Sequence, residues 1–346
     1  MNFVLLDSPA MTQVAALLPP ERDFESLAQL CKAAGDPLRL EILCSLRRNS
    51  YGVLELCRIF GVRQPAMSHH LKVLADAGLV CRRREGTSIF YHRAHRASCE
   101  QLDTLAQSIY DCADRIRLGE STQRGVARVQ SERAASSREF FAAHSQKFRA
   151  QQELIAPREQ YQQAIDELLA RALPDPAGLA VELGPGEGWL LTSLAARCRR
   201  VIAIDNSPAM LEQARSHCAR NQLDHVELIL GDNADARSLT QEADLAVINM
   251  VLHHTASPAD VLHDMAATLR PGGLLLLTDL CTHDQAWTRE ACGDLWLGFA
   301  PEDLTRWARD AGLDEGESVY LALRNGFRVQ LRLFQQPFRL SSRNPP

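Results

Sequence analysis

Three sets of residues in this chain have types and spacings that can do chemistry. The first is Val181-Glu-Leu-Gly-Pro-Gly-Glu-Gly188. Gly184, Gly186 and Gly188, with Pro185 among them, leave a backbone bare enough for a ligand to lie against. The acid Glu182 stands just ahead, and the spacing is not the six-position G-x-G-x-x-G of dinucleotide sites. The second set is Arg63-Gln-Pro-Ala-Met-Ser-His-His-Leu-Lys-Val-Leu74. Met67, Leu71 and Leu74 recur at i, i+4 and i+7 and predict an inward helical stripe, which turns Gln64, Pro65, Ser68, His69 and Lys72 outward. Gln bonds adenine, Ser reaches bases or phosphates and Lys neutralises phosphate, so this face, led by Arg63, carries the chemistry of reading a DNA duplex. Arg82, Arg83, Arg84 and Thr87 follow as the expected wing over the flanking backbone or minor groove. The third set is a group of proton-transfer candidates, His253, His254, Asp279, His283 and Asp284. No catalytic residue is assigned among them, and His253 and His254 are the candidates for a base.

Elements must hold these groups in place. Apolar spacing predicts helices over 24–34, 38–46 and 53–60, with Asp36 capping the second and Pro37 in its first turn. The reading helix covers about 64–77 and stops at Gly78. Residues 79–83 and 88–92 predict a hairpin turning at Glu85-Gly86, and 98–118 is helical. Residues 119–137 are polar and poor in large apolar side chains, which marks a linker. After a mostly helical 138–173, strands and helices alternate from 179 to 311, and an antiparallel pair closes the chain at 315–320 and 328–334. That alternation argues a parallel sheet with helices on both faces. The expected organisation is a leader (1–20), an α+β winged helix-turn-helix domain (21–118), a linker (119–137) and an α/β Rossmann-like domain (138–346).

Charge supports the division. The chain carries a net charge of −5, yet residues 36–96 hold eleven Lys/Arg against five Asp/Glu. A basic module inside an acidic protein is the footprint of a DNA-contacting part. Residues 1–20 lack a basic flank and are interrupted by Pro9, Pro19 and Pro20, so no signal peptide is expected. No apolar run approaches a membrane span. Ten cysteines lie scattered without a C-x-x-C pair, which fits a reducing cytoplasm and assigns no metal site.

Residues 27–93 resemble the ArsR winged-helix repressor family. Ala34-Gly-Asp-Pro-Leu-Arg-Leu-Glu-Ile-Leu43, Gln64 to Leu74, Ala77-Gly-Leu-Val80 and Arg83-Arg-Glu-Gly86 carry the resemblance, in order and spacing. It implies a homodimer, paired through the first helix and the 98–118 helix, on a pseudo-palindromic operator. Metal-sensing members hold two cysteines one residue apart at the start of the third helix; Gly52 and Leu54 stand there in this chain, so that site is absent. A further metal site from Cys99, Cys112, His92 and His95 is weighed against ordinary structural roles and not assigned.

Residues 140–334 are similar to class I S-adenosylmethionine-dependent methyltransferases, whose first motif places an acid before G-x-G-x-G. The resemblance implies Glu182 near the methionyl amine, with Gly184, Gly186 and Gly188 beneath the ligand. Asp205 would accept both ribose hydroxyls, with Asn206 following it and Met210 touching adenine. Asp232 and Asn233 would hold the adenine edge, and Asn249 would end the fourth strand beside the ligand. Asn249-Met-Val-Leu252 replaces the Asn-Pro-Pro-Tyr-like tetrapeptide of nucleic-acid amine methyltransferases, which argues against base methylation. Cys281 and Cys292 match no arsenite-methylating pattern. Asp294 to Asp303 suggests a lid, in which Trp296 and Phe299 either cover a small acceptor or pack the subdomain. The expected function is a DNA-binding regulator responding to S-adenosylmethionine or S-adenosylhomocysteine; the alternative is an active small-molecule methyltransferase tethered to its own repressor domain.

Overall fold

Asp36-Pro37 sets the frame of the reader. In the structure, a computed structural model that describes residues 20–85, 88–94, 100–173 and 176–338, the Asp36 carboxylate accepts the Arg39 amide at 3.0 Å and Pro37 opens the helix. Helices α1 (Pro20–Ala34), α2 (Pro37–Ser45), α3 (Val53–Phe60) and α4 (Gln64–Asp76) follow, with the short strand β1 (Tyr51–Gly52) ahead of α3. The hairpin β2 (Val80–Glu85) and β3 (Ser88–Arg93) joins β1 in a three-stranded sheet ordered β1-β3-β2. Helix α5 (Glu100–Asp114) closes this domain. Leu30, Ile42, Leu43, Leu56, Met67, Leu71 and Leu74 form its core, so the inward stripe of α4 is where its spacing predicts. Thr87, His95, Cys99 and residues 1–19 lie outside the described residues.

The segment 119–137 departs from expectation. It is the first half of a continuous 36-residue helix, α6 (Glu120–Ile155). Its polarity does not mark a solvated linker: Val126 and Val129 pack on the reader's core, Ile155 enters the core of the second domain, and Arg133 bonds residues of both. Gly125 permits the closest approach, since a Cβ there would stand 2.7 Å from the Ile59 carbonyl oxygen in α3.

The second domain begins with α7 (Gln162–Ala172) and alternates thereafter: β4 (Ala177–Leu183), α8 (Trp189–Arg197), β5 (Cys198–Asp205), α9 (Pro208–Arg220), β6 (Val226–Leu230), α10 (Asn233–Ala236), β7 (Ala243–Asn249), α11 (Pro258–Thr268) and β8 (Leu269–Leu280). Helices α12 (Trp287–Cys292) and α13 (Pro301–Asp310) lead to β9 (Asp314–Ala322) and β10 (Arg328–Gln335). The sheet order is β6-β5-β4-β7-β8-β10-β9, parallel through β8, with β10 antiparallel to both neighbours. Two apolar clusters cover its faces, one under α7, α8 and α9 and one under α11 and α13. The strand order reverses between β4 and β7, and ligands in such sheets settle at the carboxyl ends beside that reversal.

Candidate functional site

The carboxyl ends of β4, β5 and β7 border two adjoining cavities. The larger has a volume of about 410 Å³ and meets Gly184, Gly186, Asp205, Asn206, Met210, Asp232 and Asn233. The smaller, about 80 Å³, meets Gly184, Pro185, Gly186 and Asn249. Nine of the eleven expected cofactor residues therefore come together. Glu182 and Gly188 border neither cavity. Gly188 instead serves packing: its φ is +82° and a Cβ would come 3.2 Å from the Ala214 Cα of α9. Gly184 also has positive φ, and a Cβ there would strike Val251 at 2.6 Å. At Gly186 a Cβ would meet nothing within 4 Å, so the backbone faces open space.

The acids are tuned by burial. Glu182 is 1% exposed, and burial, then the nearby Asp205 charge, pushes its carboxyl up to about 8. Its Oε2 has no hydrogen-bond partner among the described residues. Burial raises Asp205 to about 6, held back by backbone amides that donate to it. The Ser207 amide is one of them, at 2.9 Å from Oδ1. A buried carboxylate gains when further donors approach, which suits Asp205 to a pair of hydroxyls.

His253 and His254 separate into different roles. His253 is fully buried; its Nδ1 lies 2.7 Å from Asp279 Oδ1, and its Nε2 lies 3.9 Å from Asp294 Oδ1. Burial works against its charge, but Asp279 and Asp294 overcome it and raise the value to about 9. His253 borders neither cavity. His254 borders the large cavity, and burial and the His253 charge hold it well below the usual histidine range. His283 is lowered to about 4, chiefly by burial, and borders neither cavity. Trp296 and Phe299 pack into the core, so the 294–303 strap is built in rather than an open lid.

On the reader, Arg63, Gln64, Pro65, Ser68, His69 and Lys72 are all exposed along one face of α4, and Arg82 and Arg84 are exposed on the wing. Arg83 is a correction. It turns from solvent into the second domain, with its guanidinium 5.7 Å from the Trp296 ring centre and 5.9 Å from that of Phe299. It also stands 3.4 Å from the Gly298 carbonyl oxygen and 3.9 Å from Asp303. Strand alternation explains the difference: Arg82 and Arg84 share one side of β2, and Arg83 occupies the other.

Sequence reasoning missed the wall that α6 supplies. Gln130, Ser131, Ala134, Ser137, Arg138 and Phe141 border the large cavity at helical spacing. The same helix carries Arg133, whose guanidinium bonds Glu55 twice, at 2.8 and 2.6 Å. Arg133 also donates to the carbonyl oxygens of Ser50 at 3.0 Å and Ala256 at 3.2 Å. It stacks against Tyr51, Phe90 and Trp296 at 4.9–5.6 Å. Nearby, Ser257 donates to Asn49 at 2.6 Å, and Arg48 lies 3.7 Å from Asp260. Ala256, Ser257 and Asp260 all border the large cavity. The 3.6-residue period of the small and polar positions in 130–141 was the available signal, and it is hidden because a wall for a polar ligand needs no apolar stripe.

Comparison with known proteins divides along the same line. A model of the bacterial regulatory protein, arsR family, matches residues 36–81, and a methyltransferase-domain model matches residues 181–277. An uncharacterized HTH-type transcriptional regulator of Methanocaldococcus jannaschii is 44% identical over 72 residues, 20% of this chain and 79% of that protein. The ubiquinone biosynthesis O-methyltransferase of Methylococcus capsulatus is 30% identical over 148 residues. That match takes in 39% of this chain and 62% of the relative's length. Among solved structures, the Burkholderia thailandensis 1,6-didemethyltoxoflavin-N1-methyltransferase with bound S-adenosylhomocysteine aligns with TM-score 0.47 and 20% identity, over 60% of this chain and 90% of its own.

Proposed function

In a chain that belongs to the bacterial arsR family of regulatory proteins and carries a methyltransferase domain behind its DNA reader, we propose that the joined cavities bind S-adenosylmethionine or S-adenosylhomocysteine and that their occupancy sets the reader's affinity for its operator. One observation carries this reading. Ala256, Ser257 and Asp260 border the cavity and are themselves held by Arg133, Asn49 and Arg48. A ligand that shifts these three residues acts on the reader through a single layer of contacts. A cavity of about 410 Å³ lies within the roughly 300–1,000 Å³ of small-molecule sites.

The operator face is the exposed side of α4, with Arg82 and Arg84 over the flanking backbone. The active species is a homodimer through α1 and α5, on a pseudo-palindromic site. Phe24, 75% exposed, and Leu27, 38% exposed, give α1 an apolar surface for that pairing. Ligand control then requires only that the ligand prefer one arrangement of the joint over another.

A second reading, methyl transfer to a small acceptor, is favoured by His254, a histidine held neutral at the cavity wall. Methyl transfer needs positioning first and a base only for a proton-bearing acceptor. A mobility-shift titration with each nucleoside tests the regulatory reading. Operator affinity that changes with either ligand supports it, and equal affinity with and without both sinks it. The variant Gly186→Arg, which fills the open space in front of the loop, serves as the control that removes ligand binding.

A further inference from the structure

His253, His254 and Asp294 form a compact group whose ligand atoms all lie within 4.8 Å of one another, the one such group of three among the described residues. All three side chains are buried. We propose that this group is a binding site for a divalent transition-metal ion of the zinc type, set behind the cavity wall. No resemblance discussed above supplies such a site, and no C-x-x-C or H-x₃-H spacing announces it in the sequence.

The donor set has the right chemistry. Two imidazoles and one carboxylate are the ligands of mononuclear zinc and related first-row ions, not of magnesium or calcium, which take oxygen shells. The distances are close to what an ion needs. Asp294 Oδ1 stands 3.9 Å from His253 Nε2 and 3.6 Å from His254 Nδ1. Tetrahedral bonds of about 2.0–2.1 Å set ligand atoms roughly 3.3 Å apart, so the two Asp294 contacts close by a few tenths of an ångström on loading, and the two imidazoles start within 4.8 Å of each other. Coordination through His254 Nδ1 replaces its long 3.4 Å contact with the Gly293 carbonyl oxygen.

The surroundings point the same way. His253 Nδ1 donates to Asp279 Oδ1 at 2.7 Å. That bond orients the ring so that Nε2 faces Asp294, the carboxylate–histidine arrangement that orients metal ligands, and loading releases the Nε2 proton. His253 Nε2 has no hydrogen-bond partner among the described residues, and it faces the buried Asp294 carboxylate. A buried polar atom left in this state is costly, and an ion would give His253 Nε2 a partner while neutralising the Asp294 carboxylate beside it. The ion would tie the 293–299 strap, which holds Arg83 of the reader, to the turn after β7, which borders the cavity.

The test uses the full-length protein, stripped with chelator, reloaded with Zn²⁺ or Co²⁺ and desalted. The account expects about one ion retained per chain. Co²⁺ should give visible d–d bands without thiolate charge transfer, which separates this site from the ten cysteines. Retention should be lost in His254→Ala and in Asp294→Ala, with circular dichroism checking that each variant folds. His254→Ala decides the matter if Asp294→Ala does not fold. An ion content well below one per chain, thiolate bands, or retention unaffected by His254→Ala overturns the proposal.

Discussion

Arg133 carries the joint at the scale of single residues. Its guanidinium satisfies Glu55 with two parallel bonds, reaches one carbonyl in each domain and stacks on three rings. Arg133→Ala leaves a nearly buried Glu55 without its cation, an effect of about 3–5 kcal/mol where such pairs are broken. Denaturant unfolding should show a midpoint lowered accordingly, and Arg133→Lys should recover little, because a point charge cannot form the paired bonds. Asp205 makes a second residue-scale prediction. Its free value is about 6, and hydroxyl donors from a bound ribose favour the ionised form. Binding therefore releases a proton at acid pH. Affinity for S-adenosylhomocysteine should hold above about pH 7 and fall as pH drops through about 6, towards a limit of tenfold per unit. Calorimetric titration across that range should show this acid limb in the parent and lose it in Asp205→Asn.

At the scale of elements, the strand-end residues and the outward face of α4 were legible because period and turn chemistry are local properties. Asp36 caps α2 and Pro37 opens its first turn through contacts within four residues, and the Met67, Leu71, Leu74 stripe needs only a core beneath it. Helix α6 was not legible, for a physical reason. Arg133 and Glu132 are satisfied by Glu55, Arg58 and backbone carbonyls, and sequence alone does not reveal partners so far along the chain. Gly125 is the sharpest sign of its role. Gly125→Val drives a side chain into the α3 backbone, an overpacking effect of about 1–3 kcal/mol. Thermal unfolding should show the loss, and the ligand effect on operator binding should weaken with it. On α4, Lys72→Ala should lower the slope of log affinity against log salt by about one without changing sequence preference. An unchanged slope would remove Lys72 from the phosphate contacts.

At the scale of the whole molecule, each half was readable on its own, and their relation was not. The wing shows why. Arg83 has the composition of a DNA contact, and only the packing of Trp296, Phe299 and Asp303 reveals that it joins the two domains instead. Among the described residues no helix is long and apolar enough to cross a membrane. The molecule is a DNA reader and a methyltransferase domain locked together by α6, Arg133 and the rim of a cavity, and the central claim is that the cavity and the operator are coupled. Linkage makes that claim reciprocal. The most direct measurement is the dissociation constant of S-adenosylhomocysteine for the free protein and for the protein saturated with its operator, at one salt concentration. The account predicts a shift of about 5–150-fold, equal to the shift the ligand causes in operator affinity. Tight ligand binding with the same constant in both states would contradict it.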